Sequence, residues 1–216
     1  TDTHLARTLE VARGLRVLAQ EPTETLCSYI CSAANSVDRI SAAVGYLAQE
    51  LGEPIGALDG ATYFAFPSLE RLATMRKEHF EESGLGFRGE HLRDVARQLI
   101  ERPPDWERLR SATHDEAREA LAGMRWVGLK IADCVCLFAL GHDDAVPIDT
   151  HVWALAKRIF RSEIRTRSLT PATYRLIDRL FSERYGRWAG WAQEYLYHWR
   201  RQTMASAERG GQPSGP

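Results

Sequence analysis

Apolar residues recur at helical spacing through most of this chain, and nowhere do they alternate over a run long enough to build a substantial sheet. That restricts the fold to an all-α class. Leu5, Leu9, Val11, Leu15, Val17 and Leu18 mark a first helix over Thr3 to Gln20. Pro22, Thr23 and Glu24 open a second through Leu26, Tyr29 and Ile30. A third begins near Asn35 and Ser36, carries Val37, Ile40, Val44 and Leu47, and ends near Gly52 and Pro54. Residues 53–68, rich in Gly, Pro and aromatics, read as a connector. The run Tyr63-Phe-Ala-Phe-Pro-Ser68 could form a short strand, but Ser68 followed by Leu69 and Glu70 more naturally opens a short helix. Further helices are expected over 86–101, 113–123, 128–140, 149–160, 170–185 and 189–201. The Gly/Ser/Pro/Gln-rich tail, residues 205–216, reads as disordered.

The 216 residues suit one compact unit or two small lobes. There is no signal peptide and no apolar run of membrane-spanning length, so a soluble, intracellular protein is expected, with no membrane partner. Cys27, Cys31, Cys134 and Cys136 lack the C-x-x-C spacing of a zinc site and are expected to be free thiols, with no metal bound. The net charge of −1 is unevenly spread. Residues 1–120 hold 14 basic and 20 acidic residues, and 121–216 hold 14 and 9. The C-terminal half could therefore meet phosphate, although so modest a bias also fits a solvated surface. Lysine is scarce: Lys77, Lys130 and Lys157 stand against 25 arginines. Where only charge is needed this chain uses Arg, so a Lys in a special context is a candidate for its amine, which Arg cannot replace as a nucleophile.

One lysine has such a context. Residues 119–134 read as helix, tight turn, helix, with Gly128 at the start of the second helix. Backbone N–H groups at such a start are unpaired and suit phosphate, though a plain helix corner has the same pattern. Lys130 lies just inside that helix. Downstream, Pro147 stiffens an extended segment and Asp149 is placed to cap the next helix, followed by His151. Lys130 and Asp149 can face one cleft, the amine as nucleophile and the carboxylate as stabiliser of developing positive charge. The plainer roles are a helix cap for Asp149 and a structural histidine for His151.

Gly128-Leu-Lys130-Ile-Ala-Asp133-Cys134, followed by Val146-Pro-Ile-Asp149-Thr-His151, resembles the helix-hairpin-helix glycosylase superfamily, and within it the 8-oxoguanine DNA glycosylase/AP lyase branch. Phe66-Pro-Ser-Leu69, Gly84-Leu-Gly-Phe87-Arg88 and Ala189-Gly-Trp-Ala-Gln193 extend the resemblance over roughly residues 5–200. It implies a two-lobe helical fold with the active site in the interlobe cleft. One lobe would comprise 1–35 and 160–204, the other 36–159, with the hairpin at about 113–140 and the first and last helices packed together. It implies removal of 8-oxoguanine from duplex DNA by a monomer without cofactor. The nucleotide would be flipped out, Lys130 would attack C1′ to form a Schiff base, Asp149 would stabilise the transition state, and β-elimination would nick the strand.

The resemblance also assigns Cys134 and Tyr197 as the walls around the flipped base and Gln193 as its hydrogen-bonding partner. His151 would hold the flipped nucleotide's phosphate. Phe87 would wedge into the duplex, Arg39 and Arg88 would touch the orphaned cytosine, and Asn35, Arg125, Val127 and Gly128 would complete the DNA contact. The chain departs from the pattern in three places. The usual Leu-Pro-Gly-Val-Gly hairpin is Met124-Arg125-Trp126-Val127-Gly128, so Trp126 stands in place of glycine. The Asn-Asn-Asn run is Ala34-Asn35-Ser36. Larger members carry an N-terminal mixed α/β domain ahead of the first helix here, so a short or truncated form is expected. A glycosylase for another base, or a weakly catalytic lesion-binding module, are the rival readings.

Overall fold

The computed structural model of the chain describes residues 3–33 and 35–209. They form two compact units, one built from residues 1–18 and 141–216, the other from 19–140.

The continuous unit opens with α2 (Pro22–Cys31) and α3 (Val37–Leu51), followed by strands β1 (Pro54–Leu58) and β2 (Ala61–Phe64). Helices α4 (Leu69–Ala73), α5 (Lys77–Glu82), α6 (Phe87–Glu101), α7 (Trp106–Ser111), α8 (His114–Ala122) and α9 (Leu129–Val135) complete it. After α9 the chain widens into a π turn over Cys136–Leu140. The starts are set by side-chain caps. Ser36 and Ser68 accept from the backbone N–H of Arg39 and Arg71. Thr113 and Glu116 cap each other's backbone reciprocally. The buried Leu26, Ile30, Leu72, Leu92 and Leu121 form the core, with α2 packed on both α6 and α9.

Gly84, Leu85 and Gly86 turn the chain into α6. Gly86 sits at φ 55°, which a side chain would resist. Gly89, one turn into α6, has no room for a Cβ, which would fall 2.1 Å from the Phe80 ring. Phe87 and Arg88 are thereby held at the exposed start of α6.

The discontinuous unit contains α1 (Thr3–Val11), α10 (Thr150–Ile159), α11 (Pro171–Tyr185) and α12 (Ala189–Arg209). Helix α12 packs on the other three around Ile148, Ile177, Phe181 and Leu196.

Several sequence expectations shift. The first helix stops at Val11, nine residues short of Gln20, and Gly14 beyond it takes φ 84°. Residues 53–68 hold a hairpin rather than an irregular connector. Asp59 and Gly60 both adopt positive φ, the mirror-image turn that joins two twisted strands. Two short helices, α5 and α7, add to the expected set. The units meet at 18/19 and 140/141 rather than at 35/36 and 159/160, because α2 packs with α9 while α10 packs with α12. Helix α12 runs to Arg209, past the expected end at 201 and into the stretch from 205 read as tail, and residues 210–216 lie outside the described residues.

Candidate active site

Lys130 is the second residue of α9, one turn before Cys134 on the same face. Its half-buried Nζ donates to Ser32 Oγ at 3.1 Å and stands 4.8 Å from the centre of the Tyr29 ring. Both partners come from the C-terminal end of α2. Ser32 donates in turn to the Tyr29 carbonyl at 2.6 Å, which aims its lone pairs at the amine. Phe138, in the π turn, stacks on Tyr29 at 5.8 Å and 15° and fixes the ring. Among the described residues the amine makes no ion pair. Lys77 bridges to Glu81 at 3.4 Å on an exposed face, and Lys157 lies exposed over Trp153. Lys130 alone combines a sheltered setting with a neutral hydrogen-bond partner.

Behind Lys130, Asp133 is fully buried. It bonds His114 Nε2 at 2.7 Å and lies 3.8 Å from Arg118 Nη1. His114 and Arg118 belong to α8, so this network fastens the two hairpin helices together. Cys134 is buried, as are Cys27, Cys31 and Cys136, and none of the four is joined in a disulfide. Burial pushes the Cys27 and Cys31 thiols far up, Cys31 to about 12, which keeps them protonated and unreactive.

The hairpin turn holds Arg125, Trp126, Val127 and Gly128. Val127 is buried, and Gly128 caps α9 with extended backbone. Trp126 takes φ 71°, a conformation that costs a non-glycine residue about 1–2 kcal/mol. Side-chain contacts to α6 offset that cost: the indole stacks on His91 and donates to Asp94 Oδ2 at 3.1 Å. Glycine would have left the turn free, whereas here the tip is bound to α6.

Phe87 is 57% exposed, with the Arg88 guanidinium 4.7 Å from its ring centre. Arg88 also donates through Nε to the Ala33 carbonyl and through Nη1 to Leu85. Asn35 receives the Ser36 N–H and donates to Cys31, and Arg39 is exposed in the first turn of α3. Ala34 lies outside the described residues.

The other expected residues sit in the discontinuous unit. Asp149 caps α10, its Oδ1 accepting both His151 N–H and Val152 N–H at 2.8 Å. Oδ2 makes no hydrogen bond among the described residues. His151 meets the Tyr197 ring edge-on at 5.7 Å. The Tyr197 phenol is pushed up, first by burial and then by the Asp149 charge. Asp149, His151 and Tyr197 therefore cluster at the start of α10. One turn before Tyr197 on α12, Gln193 is 2% exposed, and its Oε1 has no hydrogen-bond partner among the described residues. A buried acceptor of this kind is costly unless a ligand supplies the donor.

Residues 27–181 match the HhH-GPD superfamily of base excision DNA repair proteins, a span that includes the hairpin, Lys130 and Asp149. The chain belongs to that superfamily. Within it, the chain is 36% identical over 189 residues to the N-glycosylase/DNA lyase OGG1 of Arabidopsis thaliana, covering 86% of this chain and 52% of the plant protein. It is 34% identical over 212 residues to the N-glycosylase/DNA lyase of Saccharomyces cerevisiae, covering 86% and 56%. The chain thus spans about half the length of these relatives. Among solved structures, the Clostridium acetobutylicum 8-oxoguanine glycosylase/lyase, in complex with double-stranded DNA containing cytosine opposite 8-oxoG, superposes with a TM-score of 0.83. It is 28% identical and covers 94% of this chain and 67% of that one.

Gln193 and Tyr197 lie C-terminal to the HhH-GPD match. Sequence reasoning missed Tyr29, Ser32 and the His114–Asp133 pair. The first two are about a hundred positions from Lys130, and no local pattern marks them. His114 and Asp133 each fall on the inward face of an amphipathic helix, which was the available signal: a buried ionisable residue needs a partner.

Proposed function

We propose that the chain is a base-excision DNA glycosylase with AP lyase activity that removes 8-oxoguanine from duplex DNA through an imine on Lys130. The observation that carries this reading is the Lys130 amine, sheltered and hydrogen-bonded to the neutral Ser32 hydroxyl. By accepting an Nζ–H, the hydroxyl fixes where the amine points without committing it to a carboxylate.

In the proposed reaction the deprotonated Nζ attacks the deoxyribose C1′. The C1′–N9 bond breaks, and the base leaves with the bonding electrons and takes up a proton. The lone pair on nitrogen then expels the ring oxygen, giving an open-chain imine. Loss of a C2′ proton drives departure of the 3′-phosphate, which nicks the strand, and hydrolysis returns the amine. Asp149, with one oxygen committed to the α10 cap and the other without a hydrogen bond among the described residues, supplies negative charge as C1′ becomes cationic. Gln193 Oε1 offers a buried acceptor to a base edge, Cys134 and Tyr197 flank that base, and His151 meets its phosphate. Phe87, Arg88, Arg39 and Asn35 face the gap left by flipping, with the hairpin residues Arg125, Val127 and Gly128 on the backbone.

The test uses duplexes that each carry a single altered base, with base release and strand nicking measured separately. Release of 8-oxoguanine ahead of other lesions, followed by nicking, is the expected result. Release of a different base would reassign the substrate. Binding without release would reduce the chain to a lesion-binding module.

A further inference from the structure

Four residues on one face of α6, Phe87, His91, Asp94 and Gln98, reach the hairpin tip or the wedge position. The Trp126 indole lies nearly parallel to the His91 imidazole, with ring centres 3.7 Å apart at 13°. His91 in turn meets Phe87 edge-on at 5.3 Å. A guanidinium covers each outer ring, Arg125 over Trp126 at 4.6 Å and Arg88 over Phe87 at 4.7 Å. Asp94 Oδ2 receives Trp126 Nε1–H at 3.1 Å and lies 3.7 Å from Arg125 Nη1. Gln98 Oε1 receives the Arg125 backbone N–H at 3.0 Å. Arg125, Trp126, His91, Phe87 and Arg88 thus form one continuous series of stacked and edge-on contacts, with a cation and an exposed ring at each end.

Trp126 and Phe87 stay 39% and 57% exposed and are linked through His91, so they present a contiguous aromatic surface for a partner. Flanking cations select a partner that offers both anionic groups and flat π faces, which is the chemistry of a polynucleotide. We propose that this stack is a single DNA-engaging ridge, in which Trp126 is a positioning residue. It couples the hairpin's hold on the phosphate backbone to insertion of Phe87 into the duplex. The inference rests on the reading above that duplex DNA is the partner. The left-handed backbone at Trp126 supports it, because a ring is kept at a position where glycine would be unstrained. With the tip bound to α6, Phe87 is ordered before DNA arrives, and less freedom is lost on binding.

A double-mutant cycle tests the coupling. Phe87→Ala, Trp126→Gly and the double variant are each made on Lys130→Gln protein, so that no chemistry follows binding. Fluorescence anisotropy then gives Kd for a duplex with one tetrahydrofuran abasic analogue and for the same duplex intact. Glycine suits φ 71°, so Trp126→Gly removes the ring without straining the turn, and a thermal melt checks the fold. Each single variant is expected to weaken abasic-duplex binding about fivefold. The double variant should fall no more than about twofold below the weaker single. His91→Ala removes the middle ring while leaving the hairpin sequence intact. In that background the two losses should multiply. Multiplied losses with His91 present, or wild-type affinity in Trp126→Gly, would overturn the coupling alone. Failure of the parent to bind either duplex would overturn the DNA reading and the coupling together.

Discussion

The Lys130 amine and the Ser32 hydroxyl lie 3.1 Å apart although 98 positions separate them in the chain. Ser32 ends α2 and Lys130 begins α9, so this contact exists only because those two helices pack. Ser32→Ala should remove the hydrogen bond while leaving the Tyr29 ring in place. One such bond contributes about 1 kcal/mol, so imine formation is expected to slow by about fivefold with little change in DNA affinity. Single-turnover trapping beside equilibrium binding would show it. An unchanged rate would mean that Ser32 does not orient the amine.

Lys130→Gln should abolish covalent capture altogether. Borohydride reduction of a reaction on 8-oxoguanine duplex is expected to yield a protein–DNA adduct with the wild type and none with the variant. An adduct of equal yield would move the nucleophile to Lys77 or Lys157, the only other lysines, or to the α-amino group.

Asp149→Asn separates a catalytic carboxylate from a helix cap. Asparagine caps as well as aspartate, so the melting temperature should change little. Loss of a charge that stabilises a cationic transition state should cost on the order of 3 kcal/mol, or about a hundredfold in single-turnover rate. A near-wild-type rate would leave Asp149 with the cap alone.

The same variant should move a phenol. Burial and the Asp149 charge both disfavour ionised Tyr197, so its ionisation lies above the usual tyrosine range. Asp149→Asn should bring it down, yet not to the usual range, because burial is the larger cause. The sign for stability follows. A phenol whose folded pKa is raised keeps its proton longer folded than unfolded. Its contribution is complete below the unfolded pKa and is lost as pH climbs through the folded one. Difference titration of tyrosinate absorbance, with Tyr197→Phe identifying the signal, is the measurement.

Binding should weaken steeply with salt although the net charge is −1. The discontinuous unit holds 15 basic and 10 acidic residues, against 13 and 19 in the continuous unit. Each phosphate neutralised contributes about 0.9 to the slope of log affinity against log salt. A flat titration of Lys130→Gln protein with a lesion duplex would contradict phosphate contact by the basic residues.

Helical periodicity was enough to specify the all-α class, and Ser36, Ser68, Thr113, Asp149 and Thr170 mark helix starts because a cap acts within three residues of itself. Lys130 was legible as a rare amine at the start of a hairpin helix, and Asp149 as a cap after a stiffened segment. The Asp59-Gly60 turn was written in the sequence too, although apolar periodicity alone passed over it. Other features were decided by packing. Tyr29 and Ser32 acquire meaning only when α2 docks on α9, and His114 finds Asp133 only across the α8–α9 turn. The boundary between the units follows from which helix covers which apolar face, a choice that local spacing leaves open. Trp126 shows the division most clearly. Its sequence marks a lost glycine, but only the tertiary structure supplies His91 and Asp94, the contacts from another helix that offset its left-handed backbone.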